Sequence, residues 1–169
     1  IHSFHPTMLV SLLLFTFIAF VSATNGACRV ETIDFEDLDA GAKVTNLGQG
    51  IKVKTLRREG NFLVDGIAMI FNSSAITGED SDLGTPNEDF GGPGVGIGGS
   101  NSSLYANSQA LGNILIISED GDSSDPDDSG SGGEITFRFN PPRYIDSLGV
   151  LDSEEIVTIK VKTSDGGKT

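Results

Sequence analysis

The chain has 169 residues, 22 of them glycine, with 24 acidic against 11 basic side chains and a formal net charge of −13. That length suits one domain. The charge argues against nucleic acid and anionic lipid surfaces as partners, because binding phosphate needs Lys and Arg to displace counterions. Divalent cations and basic partners stay open.

From Met8 the sequence reads MLVSLLLFTFIAFVSA, an apolar run that closes on small residues at Val21-Ser22-Ala23. This is the pattern of a secretory signal peptide, although no Lys or Arg precedes it. The run is too short and wrongly flanked for a comfortable membrane span. Two readings follow: residues 1–23 are a signal peptide ahead of a single domain at 24–169, or they are a retained apolar segment, a packed strand or an anchor. Both histidines, His2 and His5, precede Met8. A chain trimmed of its leader therefore has no imidazole, no Trp and a single thiol at Cys28. His/Cys zinc sites and Ser-His or Cys-His nucleophile pairs are then excluded, and we expect no enzyme. Paired carboxylates hydrolyse glycosides in other proteins, but no spacing here singles out such a pair.

Beyond the leader the apolar residues recur with a period of two. RVETIDF (Arg29–Phe35) is an imperfect strand, and IKVKT (Ile51–Thr55) alternates cleanly with Lys52 and Lys54 outward. IAMIFN (Ile67–Asn72) and NILIIS (Asn113–Ser118) are short continuous apolar runs, as expected of strands covered on both sides. EITFRFN (Glu134–Asn140) sets Ile135, Phe137 and Phe139 against Thr136 and Arg138. YIDSLGVLD (Tyr144–Asp152) follows Pro141-Pro142, and IVTIKVKT (Ile156–Thr163) alternates again. Short strands between Gly, Asp, Asn and Pro clusters predict an all-β chain, an antiparallel β-sandwich or jelly roll.

Two long acidic, Gly-rich loops interrupt these strands: one from about Gly78 to Ser103, the other Ser118–Glu134. Loops of that length are usually functional or disordered. The second holds seven carboxylates and no basic side chain. Asp120, Asp122, Asp125, Asp127 and Asp128 can offer oxygens to one hard cation, which makes Ca²⁺ the expected ligand if there is one; the alternative is a solvated loop. It is not an EF-hand: counted from Asp120, the glycine position holds Asp125 and the twelfth holds Ser131. Glu79, Asp80, Asp82, Glu88 and Asp89 form a second group with the same ambiguity. Gly94, Gly96 and Gly99 match a dinucleotide fingerprint, but the flanking residues make neither strand nor helix, so the spacing is chance. Asn72 and Asn101 are glycosylation sequons. For sugar stacking the chain has only Tyr105 and Tyr144 besides its phenylalanines.

The last strand meets a turn at Asp165-Gly166-Gly167 and two further residues, which reads either as a sequence cut short within a hairpin or as a fold with an unpaired edge. Cys28, odd in a secreted chain, wants a partner elsewhere or is a free buried thiol.

The stretches TIDFEDLDAG, GTPNEDFGGPGVGIGG, LGNILIISED and GGEITFRFNPPRYIDSLGVLD resemble a group of secreted β-sandwich domains from algae and aquatic bacteria. The resemblance spans about Val30 to Thr163. It implies a jelly-roll or carbohydrate-binding-module fold, surface or matrix proteins, no catalytic residues, and a late cysteine that would pair with Cys28. The chain is also similar to subunits of glycosylated extracellular fibrils. Residues and resemblance together lead to two expectations. The first is an extracellular structural subunit that assembles with copies of itself by strand addition into a fibril. The second is a Ca²⁺-dependent glycan-binding module with Asp120–Asp128 at its rim.

Overall fold

The computed structural model describes residues 7–11, 14–24, 27–78, 80–87, 109–151 and 157–162. Over these the chain is all-β with antiparallel pairing throughout, and its one helical element is a 3₁₀ turn at Ser81–Leu83. The strands are β1 (Thr7–Ser11), β2 (Leu14–Thr24), β3 (Ala27–Ile33), β4 (Ile51–Glu59), β5 (Phe62–Asp65), β6 (Ile67–Asn72), β7 (Asn113–Ser118), β8 (Gly133–Phe139), β9 (Tyr144–Leu151) and β10 (Thr158–Lys162). One sheet has the order β10-β1-β8-β4-β5; the other runs β3-β2-β7-β6, with β9 also paired to β2.

The period of two decides which side chains enter the core. In β4 and β8 the register sets Ile51 opposite Phe139, Val53 opposite Phe137 and Thr55 opposite Ile135, and all six are buried. The apolar members pack with Ile18 and Phe20 of β2, Ala68 and Ile70 of β6, and Leu115 and Ile117 of β7. The main core therefore draws on both sheets. Burial of each large apolar side chain in it contributes roughly 1.5–3 kcal/mol.

β6 and β7 are buried on both faces, which explains why their sequences do not alternate. Met69, Phe71, Ile114 and Ile116 turn away from the main core into a second cluster closed by Leu83 and Leu151. The expectation for IAMIFN and NILIIS therefore holds.

Three local features depart from the sequence reading. β4 continues past Thr55 to Glu59 and turns back at Gly60, φ 56°, to pair Glu59 with Phe62. β3 ends at Ile33, so Phe35 is not a strand residue. It is buried with φ 64°, and its carbonyl accepts the Leu38 amide at 3.1 Å. Part of the first acidic loop is packed rather than free, because Leu83 needs the apolar cover that Met69 and Phe71 supply. The leader-like stretch forms β1 and β2, with Ile18 and Phe20 wholly buried. Of the final strand, Thr158–Lys162 pairs with β1; the turn beyond it lies outside the described residues.

Candidate functional site

The second acidic loop is closed at its base like a short ladder. Ser118 and Asp128 form an antiparallel bridge, the Ser129 amide donates to Ile117 O at 2.7 Å, and the Glu119 amide donates to Asp127 O at 3.3 Å. Within the loop the aspartates serve its own backbone. Asp120 Oδ1 accepts the Asp122 amide at 2.7 Å, and Asp122 Oδ1 accepts both the Ser124 amide and hydroxyl, at 2.8 and 2.7 Å. Asx turns of this kind are why Asp and Ser dominate such segments. The bonds from Ser124 hold the exposed Asp122 carboxyl below its ordinary value, and Lys43 adds a smaller attraction.

The two acidic loops meet. The Thr77 hydroxyl donates to Pro126 O at 2.8 Å, the Gly78 amide to Asp125 Oδ1 at 2.8 Å, and the Asp128 amide to Asp80 Oδ2 at 2.7 Å. Asp80 thus lies against Asp128, while Asp120 and Asp122 are spent on local turns. Burial pushes the Asp80 carboxyl up; the bonds from Asp128 oppose this, and the charges of Asp82 and Glu119 add to it. Asp127 is also pushed up, first by burial and then by Asp120, Glu119, Asp80 and Asp125. Its Oδ1 is buried without a hydrogen-bond partner. Among the described residues, no three His, Cys, Asp or Glu side chains converge closely enough to hold a metal ion. Asp82 lies in the 3₁₀ turn, its carbonyl accepting Asn87 Nδ2 at 3.4 Å. Glu79, Glu88 and Asp89 lie outside the described residues.

Several acidic and polar residues that sequence reasoning did not single out hold the frame. Glu36 Oε1 accepts the Asn113 amide at 2.7 Å, and Asn113 Nδ2 donates to Leu38 O at 2.7 Å and Phe35 O at 3.3 Å. This ties the DFEDLDAG turn to the start of β7. Ser73 and Thr85 share a buried hydroxyl contact of 2.6 Å, and Thr85 Oγ1 accepts the Leu111 amide at 2.9 Å. The only sequence signal for either set was an Asp or Ser beside a turn.

The remaining candidates are scattered. Asn72 ends β6, half-buried, its Oδ1 accepting the Ser74 amide at 2.9 Å. Cys28 lies on β3 opposite Ala23. Tyr144 opens β9 and is exposed. Asn101, Tyr105 and the glycines Gly94, Gly96 and Gly99 lie outside the described residues.

The other notable arrangement is the seat of the leader-like stretch. β1 stands between β8 and β10, paired over its whole length with both: Met8, for example, faces Phe137 on one side and Val161 on the other. β2 stands between β3 and β9, and at Phe15 it also meets Leu115 of β7. The Phe20 ring is 6.2 Å from that of Phe139, and the Arg143 guanidinium lies over the Phe20 ring at 4.3 Å from its centroid. One apolar segment therefore fills an interior strand position in each sheet. Taking it away would leave two gaps, each flanked by unpaired backbone donors and acceptors.

No family model, curated protein or solved structure matches the chain. Among the described residues no helix is long and apolar enough to cross a membrane.

Proposed function

We propose that the chain is an extracellular structural subunit, a jelly-roll sandwich that assembles with copies of itself by strand addition into a surface or matrix fibril. The observation that carries this reading is the position of β1 and β2. If secretion removes residues 1–23, β8 and β10 lose the strand between them, and so do β3 and β9. Core residues such as Phe137 and Phe139 would then face water, and an extended segment from a neighbour would both cover them and pair the open backbone. A contact of that head-to-tail kind, unless it closes on itself, builds a filament. Asn72 and Asn101 would carry the glycans of such a subunit. The test is to secrete the chain from a eukaryotic host, determine its N-terminus and glycan masses, and image it by electron microscopy. A mature start near Thr24 together with fibrils supports the proposal; a folded monomer with the same start refutes it.

A second reading is a Ca²⁺-dependent glycan-binding module. Its support is the meeting of the two acidic loops, with Asp127 Oδ1 buried and unpartnered beside Asp80 and Asp128. A cation there would offset the burial and the smaller carboxylate repulsion that raise Asp80 and Asp127. Calorimetry with Ca²⁺ and then with a glycan panel tests it; the absence of heat in both removes it.

A further inference from the structure

Five of the 11 basic side chains of this acidic chain share one surface. Lys52 and Lys54 are exposed between the buried Ile51, Val53 and Thr55 of β4, and Arg138 is exposed between the buried Phe137 and Phe139 of β8. All three therefore lie on the outer face of the sheet that runs from β10 to β5. The register carries that face across four strands. Lys162 of β10 stands opposite Thr7, Thr7 opposite Arg138, and Arg138 opposite Lys52. In the next row the successive partners are Lys160, Leu9, Thr136 and Lys54. Lys160 and Lys162 are exposed as well. Neighbouring strands are about 4.8 Å apart and successive same-face residues about 6.6 Å, so the rows set five cations within roughly 14 by 7 Å. Neither row contains a carboxylate; the third row closes the patch, with Glu134 and Asp65 on either side of Leu56. Among the described residues none of the five cations forms an ion pair. Like charges directly opposite each other, as Lys52 and Arg138 are, destabilise a sheet. The fold gains nothing from this placement, whereas an anionic partner would.

The complement is present on the same chain. In the second acidic loop Glu119, Asp120, Asp122 and Asp125 are exposed, and among the described residues none of them forms an ion pair. Lys43 adds only a small attraction at Asp122. The loop enters β8 at Gly133, and Arg138 lies five residues further on, roughly 17 Å along the strand. Its bonds to Thr77, Gly78 and Asp80 hold it at its own end of the molecule. One chain cannot bring the two surfaces together. Two copies can, head to tail. Each copy carries a net charge of −13, which repels at long range, but at 0.15 M salt the Debye length of about 8 Å leaves the facing patches to dominate a close encounter.

We propose that the acidic loop of one copy docks on the two basic rows of the next, a weak ionic contact that is separate from strand addition and needs no gap in either sheet. The test uses the full chain made without secretion, whose β1 and β2 are in place, so a failure here leaves the strand-gap reading standing. Sedimentation equilibrium at 0.15 M NaCl is expected to show reversible association with a Kd of roughly 0.1–1 mM, so that a micromolar chain with its gap filled stays monomeric. Raising NaCl to 1 M, where the Debye length is about 3 Å, should abolish it. Lys52→Glu/Lys54→Glu should weaken association at least tenfold without lowering the melting temperature, since the first change sets a carboxylate opposite Arg138. Glu119→Gln/Asp122→Asn, in which Asn keeps an acceptor for the Ser124 amide, should weaken it roughly threefold or more. A carbodiimide, which joins a lysine to a carboxylate in contact with it, applied to a mixture of isotopically heavy and light copies should link Lys52 or Lys54 of one copy to residues 119–125 of another. The proposal is overturned if the chain stays monomeric at millimolar concentration, if association survives 1 M NaCl or the double lysine variant, or if the cross-links to the loop never join a heavy copy to a light one.

Discussion

The guanidinium of Arg143 lies 4.3 Å from the centroid of the Phe20 ring while its Nη2 donates to Gln49 O at 2.6 Å. One side chain thereby joins the start of β9, the turn before β4 and the middle of β2. The consequence is that the stretch is part of the main core wherever it is present. In full chain made without secretion, Phe20→Ala is expected to cost about 3–5 kcal/mol in urea unfolding, with Phe20→Leu milder. In the secreted protein, a cleaved leader makes the same substitution silent in mass and in melting temperature. A small effect in the full chain would show that β2 is not a core strand.

The acidic loops set a pH dependence. Asp80 and Asp127 have folded values raised above the ordinary 3.8. Between the unfolded and the raised folded value, the folded chain binds more protons, so stability falls as pH rises through that window and is greatest below it. Asp122 runs the other way: its value is lowered, and any contribution it makes is lost as pH falls below 3.8 through its own value. Melting temperature measured upward from pH 3.8 should therefore decline, and the Asp80→Asn/Asp127→Asn variant should flatten that decline. An unchanged profile in the variant would contradict the assignment.

Thr55 Oγ1 is buried without a hydrogen-bond partner, and Thr55→Val therefore carries a stability prediction. Removing a buried hydroxyl that has no partner relieves a desolvation cost, so the variant should be more stable by about 1–2 kcal/mol in urea. A loss of stability would mean that the hydroxyl has a partner in solution.

Gly50 and Gly48 form a controlled pair, since both are left-handed, at φ 78° and 76°. A Cβ on Gly48 meets nothing within 4 Å, whereas one on Gly50 collides with the carbonyl of Asn140, whose amide donates to Gly50 O at 2.9 Å. Gly48→Ala should cost about 1 kcal/mol from backbone conformation alone. Gly50→Ala should cost about 3 kcal/mol or more, because β8 must move to admit it. Equal costs would show that the close approach is absent.

The strands around β4, β6, β7 and β8 were legible because burial leaves a periodic mark, either alternation or an unbroken apolar run. β5 was missed because its Phe62 and Leu63 are exposed at a sheet edge and carry no such mark, although Gly60-Asn61 before them was a readable turn. Phe35 looked like a strand residue because it continues the alternation past Ile33, and nothing in its type announces a positive φ. The carboxylates could be counted from sequence, but not sorted into those that fold turns, such as Asp120, and those that join distant loops, such as Asp80 and Asp128. Only tertiary structure brings the latter two together. The apolar run at Met8 was ambiguous because a leader and a doubly covered strand have the same composition.

Sedimentation of a secreted chain that begins at Thr24, alone and with a synthetic lysine-tagged peptide covering residues 7–24, tests the strand-gap idea most directly. The account predicts assemblies larger than a monomer without the peptide, and a one-to-one complex of peptide and single chain with it. A compact, folded monomer that ignores the peptide would contradict it.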